Sequence, residues 1–463
     1  MTSTTDRAVR AEFEQERRRL IPAELDKIGW PEQRMQSLRD ERLRHLVRHA
    51  RTNSSWHRSR LAHVDLTSLT GDDLSHLPTM TKADVMGNWD QIVCDPELTL
   101  AGANHHLALV ERDGPGFMLG SYLVFLTGGS SGRRGVFPWH WRDLLQSGLS
   151  AGRTMAALSQ PTAVASPVRV ASIGSVNPMS GTGTSAWLHE AFDGVEAENR
   201  SAHTPIQELV HWLNEFRPAQ LSAYSSVLYR LALEAQRGEL DIDPQAVSAF
   251  AEPVHHRLRH LVQHVWSVGL VNLYAALECL SIAVSAPGEA DLHLVEDVAI
   301  VETVDADQRA VRPGERGHHL LVTSLCNHTM PLIRYELDDQ VAETNGPTPG
   351  VRHGRCLQPP EARSDQYFWY GNGAAVDPAE VRRAVETDPQ IVEFQARQTS
   401  GGMDLDIATC GAADLGQLRE RLESVLRDAG ISSPAVQVTE VPAVPRIEGS
   451  AKLRRFVPMD AAH

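Results

Sequence analysis

The sequence is poor in lysine. Among 463 residues only Lys27, Lys82 and Lys452 occur, although lysine and arginine together number 44. Where arginine supplies nearly all the positive charge, each remaining lysine raises the question of whether a compact primary amine is needed there. Cysteine is also scarce. Cys94, Cys279, Cys326, Cys356 and Cys410 are odd in number, and no two stand at CxxC spacing. This argues against a disulfide framework or a zinc knuckle and predicts a reduced, cytoplasmic compartment. Positive charge is in deficit, with a net charge of -15. A groove that tracks a nucleic-acid backbone needs a surplus of Lys and Arg, so no nucleic acid and no membrane is expected as a main partner; a local basic pocket for a small phosphate ligand stays open. No window reaches eighteen uninterrupted apolar residues, so no membrane span is expected. The opening MTSTTDRAVRAEFEQERRRL is charged throughout, so no signal peptide is expected.

What is present fits a protein of several domains. The length exceeds one ordinary core and predicts two or three. Residues 6–60 read as helices, with Leu38, Leu43, Leu46 and Val47 at helical spacing. Residues 72–78 read as a short helix stopped by Pro78. Tyr122–Leu126 is an apolar run entering a Gly/Ser cluster, the pattern of a buried strand feeding a tight loop. A helix is predicted over 139–158. Strands at 168–173, 219–223, 246–250 and 268–274 alternate with helices at 206–216, 224–238 and 257–266, which predicts an α/β domain with a mostly parallel sheet. Residues 292–304, 318–325 and 331–342 read as a β-rich subdomain. Beyond Gly346-Pro347-Thr348-Pro349-Gly350 the chain reads as a small α+β unit. It has a hairpin around Ser400-Gly401-Gly402, an amphipathic helix over 415–427 and a strand over 435–441. No internal repeat stands out.

The Gly/Ser cluster is Thr127-Gly128-Gly129-Ser130-Ser131-Gly132-Arg133-Arg134-Gly135. Glycines let backbone amides approach an anion, the hydroxyls donate, and the arginines add charge in a fork suited to phosphate. Neither GxxxxGK[ST] nor GxGxxG is present, so the Walker and dinucleotide loops are both excluded. By itself the stretch describes a turn as well as a site. His256, His260 and His264 share one helical face, which reads as a solvated surface, and Cys279 reads as a small packed residue.

Other segments stand in a telling order. LVRHARTNSSWHRSRL and DLSHLPTMTKADV precede the loop. After it come NEFRPAQLSAYSSVLYRLA, Ala251-Glu252-Pro253, Asn272-Leu273-Tyr274-Ala275-Ala276-Leu277-Glu278, TSLCNHTMPLIRYELDD ending at Asp339, Arg363-Ser364-Asp365, and Gly449-Ser450-Ala451-Lys452. Over nearly the whole chain this series resembles the adenylate-forming superfamily. The resemblance is nearest its phenylacetate–CoA ligase-like branch, which includes deazaflavin-coenzyme synthetases.

The resemblance implies an α/β N-terminal domain over 1–362, with mostly parallel sheets and a β-rich subdomain, that holds ATP and an acid. A small mobile α+β C-terminal domain over 363–463 would turn about Asp365 and carry Lys452. It implies the loop Thr127, Gly128, Gly129, Ser130, Ser131, Gly132 and Arg133 at the phosphates. Ala251, Glu252, Pro253, Asn272 and Tyr274 would lie at the nucleotide. Glu278 would hold Mg2+, Asp339 rather than Asp338 would meet the ribose hydroxyls, Arg363 the ribose or phosphates, and Lys452 the α-phosphate. Lys82 matches a family lysine and is read as structural. The acid pocket is expected over 172–187, 223–226, 250–251 and 327–331, including Ser172, Gly174, Tyr224 and Asn327. Two departures stand out: Gly135 replaces the loop's terminal lysine, and Leu277 replaces a threonine. The implied activity is ATP-dependent activation of a small acid and its transfer to a thiol of CoA or of a carrier protein. Alternatives are an amine acceptor, a non-carboxylate oxyacid such as nitrite, AMP transfer to an alcohol, or nucleotide binding without catalysis. A monomer or homodimer is expected.

Overall fold

The computed structural model describes residues 4–127, 134–159, 166–344, 354–448 and 450–459. The loop residues Gly128, Gly129, Ser130, Ser131, Gly132 and Arg133, the segment 346–350 and Gly449 lie outside the described residues.

Strand β1 (Tyr122–Leu126) and β2 (Val136–His140) form an antiparallel hairpin whose last pair is Leu126 with Val136. The strands that follow are β3 (Val168–Gly174), β4 (Val195–Ser201), β5 (Gln220–Tyr224), β6 (Ala246–Phe250), β7 (Leu270–Ala276), β8 (Leu280–Ser285) and β9 (Leu292–Leu294). Next come β10 (Ala299–Val304), β11 (His319–Ser324), β12 (Tyr335–Leu337), β13 (Asp339–Gln340), β14 (Cys356–Leu357) and β15 (Ala362–Arg363). The main sheet runs β14-β9-β8-β7-β6-β5-β3-β4. Its β4-to-β7 half is parallel and its β7-to-β14 half antiparallel.

The alternation of strand and helix dictates the parallel half, because each crossover helix must cover the sheet with its apolar stripe. In the helix Ile206–Phe216 that stripe is Ile206, Leu209, Leu213 and Phe216, all buried. It packs with Ala171, Ile173, Leu221, Ala223, Val247 and Ala249 in one core. The parallel strands all end on one side, at Gly174, Tyr224, Phe250 and Ala276, and that side is where an open α/β sheet offers a crevice. Strands β10, β11 and β12 make the separate antiparallel β-rich sheet that the sequence predicts.

Beyond Arg363 the short pair β16 (Phe368–Trp369) and β17 (Ala375–Val376) precedes a four-stranded sheet. That sheet contains β18 (Ile391–Thr399), β19 (Gly402–Thr409), β20 (Ala435–Glu440) and β21 (Phe456–Val457), in the order β20-β19-β18-β21. The helices Pro378–Glu386 and Leu415–Asp428 cover it and enclose a core of its own, with Val385, Leu405, Leu418, Leu422 and Phe456. The architecture is thus mixed α/β with an α+β C-terminal body.

Two local expectations are corrected. Residues 72–78 form turns, not a helix. The Asp73 carboxylate accepts from both the amide (2.9 Å) and the hydroxyl (2.6 Å) of Ser75, and this local bonding displaces helical bonds. The helix predicted from 139 begins at Trp141, because residues 136–140 pair with β1. His256, His260 and His264 lie exposed on the helix His256–Trp266. Among the described residues no group of three His, Cys, Asp or Glu side chains could hold a metal ion, and no helix is long and apolar enough to cross a membrane.

Candidate active site

The hairpin of β1 and β2 sets the base of the Gly/Ser loop. Thr127 and Gly135 face each other: the Thr127 amide donates to the Gly135 carbonyl (2.9 Å), and the Gly135 amide donates to Thr127 Oγ1 (2.7 Å). Lys82 Nζ donates to the same hydroxyl at 3.4 Å. A Cβ at position 135 would lie 2.6 Å from the Phe137 ring and 3.3 Å from Lys82 Cε. A side chain at 135 would thus collide with the buried Phe137 ring, with the lysine of another segment just beyond it. Lys82 sits at the N-terminus of the short helix Lys82–Gly87, fixed by a Thr81–Asp84 capping box. The reading of Lys82 as structural did not anticipate this position. The signal was its rarity in a chain with three lysines. Arg134 is exposed.

The turn joining β7 to β8 carries Leu277, Glu278 and Cys279 out of the sheet at the crevice. Trp139 Nε1 holds the turn by donating to the Leu277 carbonyl (3.0 Å). The Leu277 side chain packs over the start of the helix Gly181–His189, where a Cβ at Gly181 would lie 3.1 Å from its Cδ2. Glu278 is buried and accepts a hydrogen bond from the Tyr335 hydroxyl. Burial raises its pKa above the usual glutamate value, while Lys82 and Arg363 nearby pull it down. Cys279 is fully buried.

The β13–β15 pair places Asp339 opposite Arg363. Asp339 accepts from the Tyr274 hydroxyl (3.0 Å) and from Arg363 Nη1 (3.5 Å). Asp338 contacts Arg363 Nη2 at 3.3 Å and Ser364 Oγ at 3.2 Å, and is more exposed. Arg363 Nε donates to Asp365 (3.0 Å). Burial works against the guanidinium charge, but Asp339, Asp365 and Asp338 outweigh it and raise the pKa. It is Asp339, not Asp338, that joins Tyr274.

Lys452 is exposed, although Ala451 before it and Leu453 after it are buried. Desolvation still lowers its pKa below the usual lysine value, partly opposed by Glu252, Asp339 and Glu278. Arg363 and Glu278 each act electrostatically on both Lys82 and Lys452, and Asp339 acts on Lys452, although the five come from separate stretches of chain. Two lysines and an arginine acting on the desolvated Glu278 can offset the charge of a polyphosphate.

The remaining expected residues are placed as follows. Ala251 is exposed at φ 65°, a left-handed conformation that favours glycine, and it begins the turn to Glu252 and Pro253. Pro253 is exposed, while Glu252 is buried and engages the segment around Lys452. Asn272 is buried in β7, its amide donating to Ser285 Oγ (2.8 Å). Ser172 lies in β3 opposite Ser222 of β5. At Gly174 a Cβ would meet Tyr224 (3.0 Å), Thr182 (3.1 Å) and Phe250 (3.3 Å), so these side chains crowd the end of β3. Tyr224 is buried, its hydroxyl accepting from the Ser175 amide (3.1 Å) and donating to the Ser450 carbonyl (2.9 Å). Asn327 is fully buried, with its amide donating to the Pro138 carbonyl (3.2 Å) and its oxygen accepting from the Met330 amide (3.0 Å). Both ends of that side chain serve the fold.

No family model matches the chain. Among curated proteins, protein CapK from Staphylococcus aureus is 26% identical over 136 residues, which is 29% of this chain and 28% of CapK; the match thus spans little more than a quarter of that relative. Solved structures match far more of the chain. A 2-hydroxyisobutyryl-CoA ligase in the postadenylation state aligns over 94% of this chain and 92% of its own, with a TM-score of 0.70 and 17% identity. The same ligase in its thioesterification state scores 0.58. O-succinylbenzoate coenzyme A synthetase from Bacillus subtilis, with ATP and magnesium ion, aligns over 72% and 68% of the two chains (TM-score 0.51, 16% identity). The amide bond synthetase McbA from Marinactinospora thermotolerans aligns over 71% and 66% (TM-score 0.50, 16% identity). With β-rich and C-terminal bodies set against a mostly parallel sheet, the chain has the fold of the adenylate-forming ligases.

Proposed function

We propose that the protein is an adenylate-forming ligase. It joins a small acid to AMP with release of pyrophosphate, then passes the acyl group to an acceptor thiol of CoA or a carrier protein, or to an amine. The observation that carries this reading is the hydrogen-bonded group of Asp339, Tyr274 and Arg363, with Lys82 at the Thr127 hydroxyl and Glu278 and Lys452 electrostatically linked to Arg363. A carboxylate oxygen of the acid attacks the α-phosphorus of ATP and the bond to the β-phosphate bridging oxygen breaks. Lys452 offsets the charge that gathers at the α-phosphate, and Lys82, beside the Thr127 hydroxyl, is assigned to the outer phosphates. Asp339, already ordered by Tyr274 and Arg363, accepts hydrogen bonds from the ribose. In the second step the acceptor attacks the acyl carbon, AMP leaves with the bridging oxygen, and the acceptor's proton passes to solvent.

Magnesium fits this site. Glu278 is a buried carboxylate near Lys82 and Arg363, and a magnesium ion held by it would take its other oxygens from polyphosphate and water. Bound there, it would neutralise phosphate charge. Five cysteines that form no disulfide support a cytoplasmic setting, and we infer a monomer or homodimer.

Leu277 favours a second reading, nucleotide binding without catalysis, because an apolar side chain stands where a hydroxyl is expected. Pyrophosphate release from Mg·ATP, measured across 2-hydroxyisobutyrate, o-succinylbenzoate, anthranilate and simpler acids, separates the two. Lys452→Ala should slow adenylation by about 10²–10³-fold while ATP binding survives. Unchanged adenylation in that variant sinks the assignment.

A further inference from the structure

Glu252 ends up with an engagement that its place in the sequence does not announce. It lies in the turn after β6, on the N-terminal body, and is 8% exposed. One carboxylate oxygen accepts from the Ser226 amide (2.9 Å) in the first turn of the helix Ser225–Gln236. The other accepts from the Leu453 amide (2.8 Å), the residue after Lys452. Arg446 of the C-terminal body stands 3.7 Å from that same oxygen, donates to Ser226 Oγ (3.0 Å) and Glu393 Oε1 (2.7 Å), and touches the Ala451 carbonyl (3.4 Å). Arg446 and Glu393 are buried as well.

On the other side of Lys452, the Ser450 carbonyl accepts from Tyr224, which also belongs to the N-terminal body. Ala451 is 2% exposed, packs into the core of the parallel sheet and holds φ 57°. Lys452 is therefore gripped at the residues before and after it, and a strained backbone persists because its surroundings over-determine it. Each of these grips joins one body to the other. If the C-terminal body rotates, Glu252 keeps the Ser226 amide on one oxygen but loses an amide donor and a guanidinium from the other, and a buried carboxylate oxygen stripped of its partners is costly unless water reaches it.

We infer that Glu252 and Arg446 form an interdomain latch. Glu252 is a positioning residue that sets Lys452 in register for adenylation, and release of this pair gates the second step. The inference rests on the adenylation reading for its consequence, but the latch itself is a physical contact that can be tested without any acid.

Hydrogen exchange of the ligand-free full-length protein tests the contact. Amides of residues 447–455 should exchange at least 10-fold faster in Arg446→Met and in Glu252→Gln than in the parent, with peptides of β5 and β6 unchanged as the check on folding. Equal exchange in all three overturns the latch, whether or not the protein proves to be a ligase. For an acid that releases pyrophosphate, both variants should slow adenylation at least 10-fold. The ATP dissociation constant should stay within about 3-fold, and transfer from a synthetic acyl adenylate should be unchanged or faster. In the double variant the loss should not exceed that of the worse single one. A parallel loss of ATP affinity in Glu252→Gln, with normal exchange, would instead make Glu252 a nucleotide contact and overturn the proposal.

Discussion

At the scale of single residues, lysine rarity proves informative. Lys27 is engaged with Glu24 at 2.5 Å, a structural pair, whereas Lys82 and Lys452 both feel the charges of Glu278 and Arg363. Lys82→Met should weaken ATP binding by about 10–100-fold, the worth of a charge-assisted contact of roughly 1.5–3 kcal/mol; isothermal titration measures it. Lys82→Arg should restore it poorly, because a planar guanidinium fork does not reproduce the compact ammonium at the Thr127 hydroxyl. Affinity unaffected by Lys82→Met would return this lysine to a structural role. Ala251 gives a second case. At φ 57–65° alanine is disfavoured by about 1 kcal/mol relative to glycine, so Ala251→Gly should leave the fold intact and raise its unfolding free energy by up to about 1 kcal/mol in a denaturant titration.

At the scale of elements, the N-terminal helices are tied to the main body through Asp297. This residue is fully buried and accepts from Arg153 (2.7 and 3.0 Å), Arg42 (3.1 Å) and Ser150 (3.0 Å), while Arg153 also reaches Glu24 (3.2 Å). Burial alone would raise the Asp297 pKa, but Arg153 and Arg42 outweigh it and hold the carboxyl at about 2. The folded value lies below the ordinary 3.8, so this stabilisation is full above pH 4 and is lost as pH falls through about 2. Asp297→Ala should cost about 3–5 kcal/mol, because it strands buried guanidinium charge, and thermal unfolding should show it. A loss under 1 kcal/mol would mean that water replaces the carboxylate. Elements are also where the sequence was most legible. The parallel strands and crossover helices follow from apolar spacing, and the predicted helix over 72–78 failed because Asp73 bonds Ser75 locally. Periodicity does not register such side-chain competition.

At the scale of the whole molecule, the backbone on either side of Lys452 is held against the N-terminal body at Tyr224 and Glu252. The contacts holding it there are buried, and buried pairs are screened far less than exposed ones. Adenylation should therefore change by less than about 3-fold between roughly 0.05 and 0.5 M NaCl, read by pyrophosphate release at saturating ATP. A steep fall would show that exposed charges hold the closed arrangement.

The sequence by itself determined the class of the fold, the order of its segments and which carboxylates and amines were candidates, because hydrophobic period and motif order are local properties of the chain. Only the tertiary structure decided how they combine. It brought Lys82 from a segment some 45 residues upstream to the hydroxyl of Thr127, beside Gly135. It turned Glu252 away from a purely nucleotide-side reading toward the amide of Leu453, across 201 positions. Distances of a few ångströms between groups so far apart in sequence are set by the packing of two cores against each other, and no local pattern encodes that.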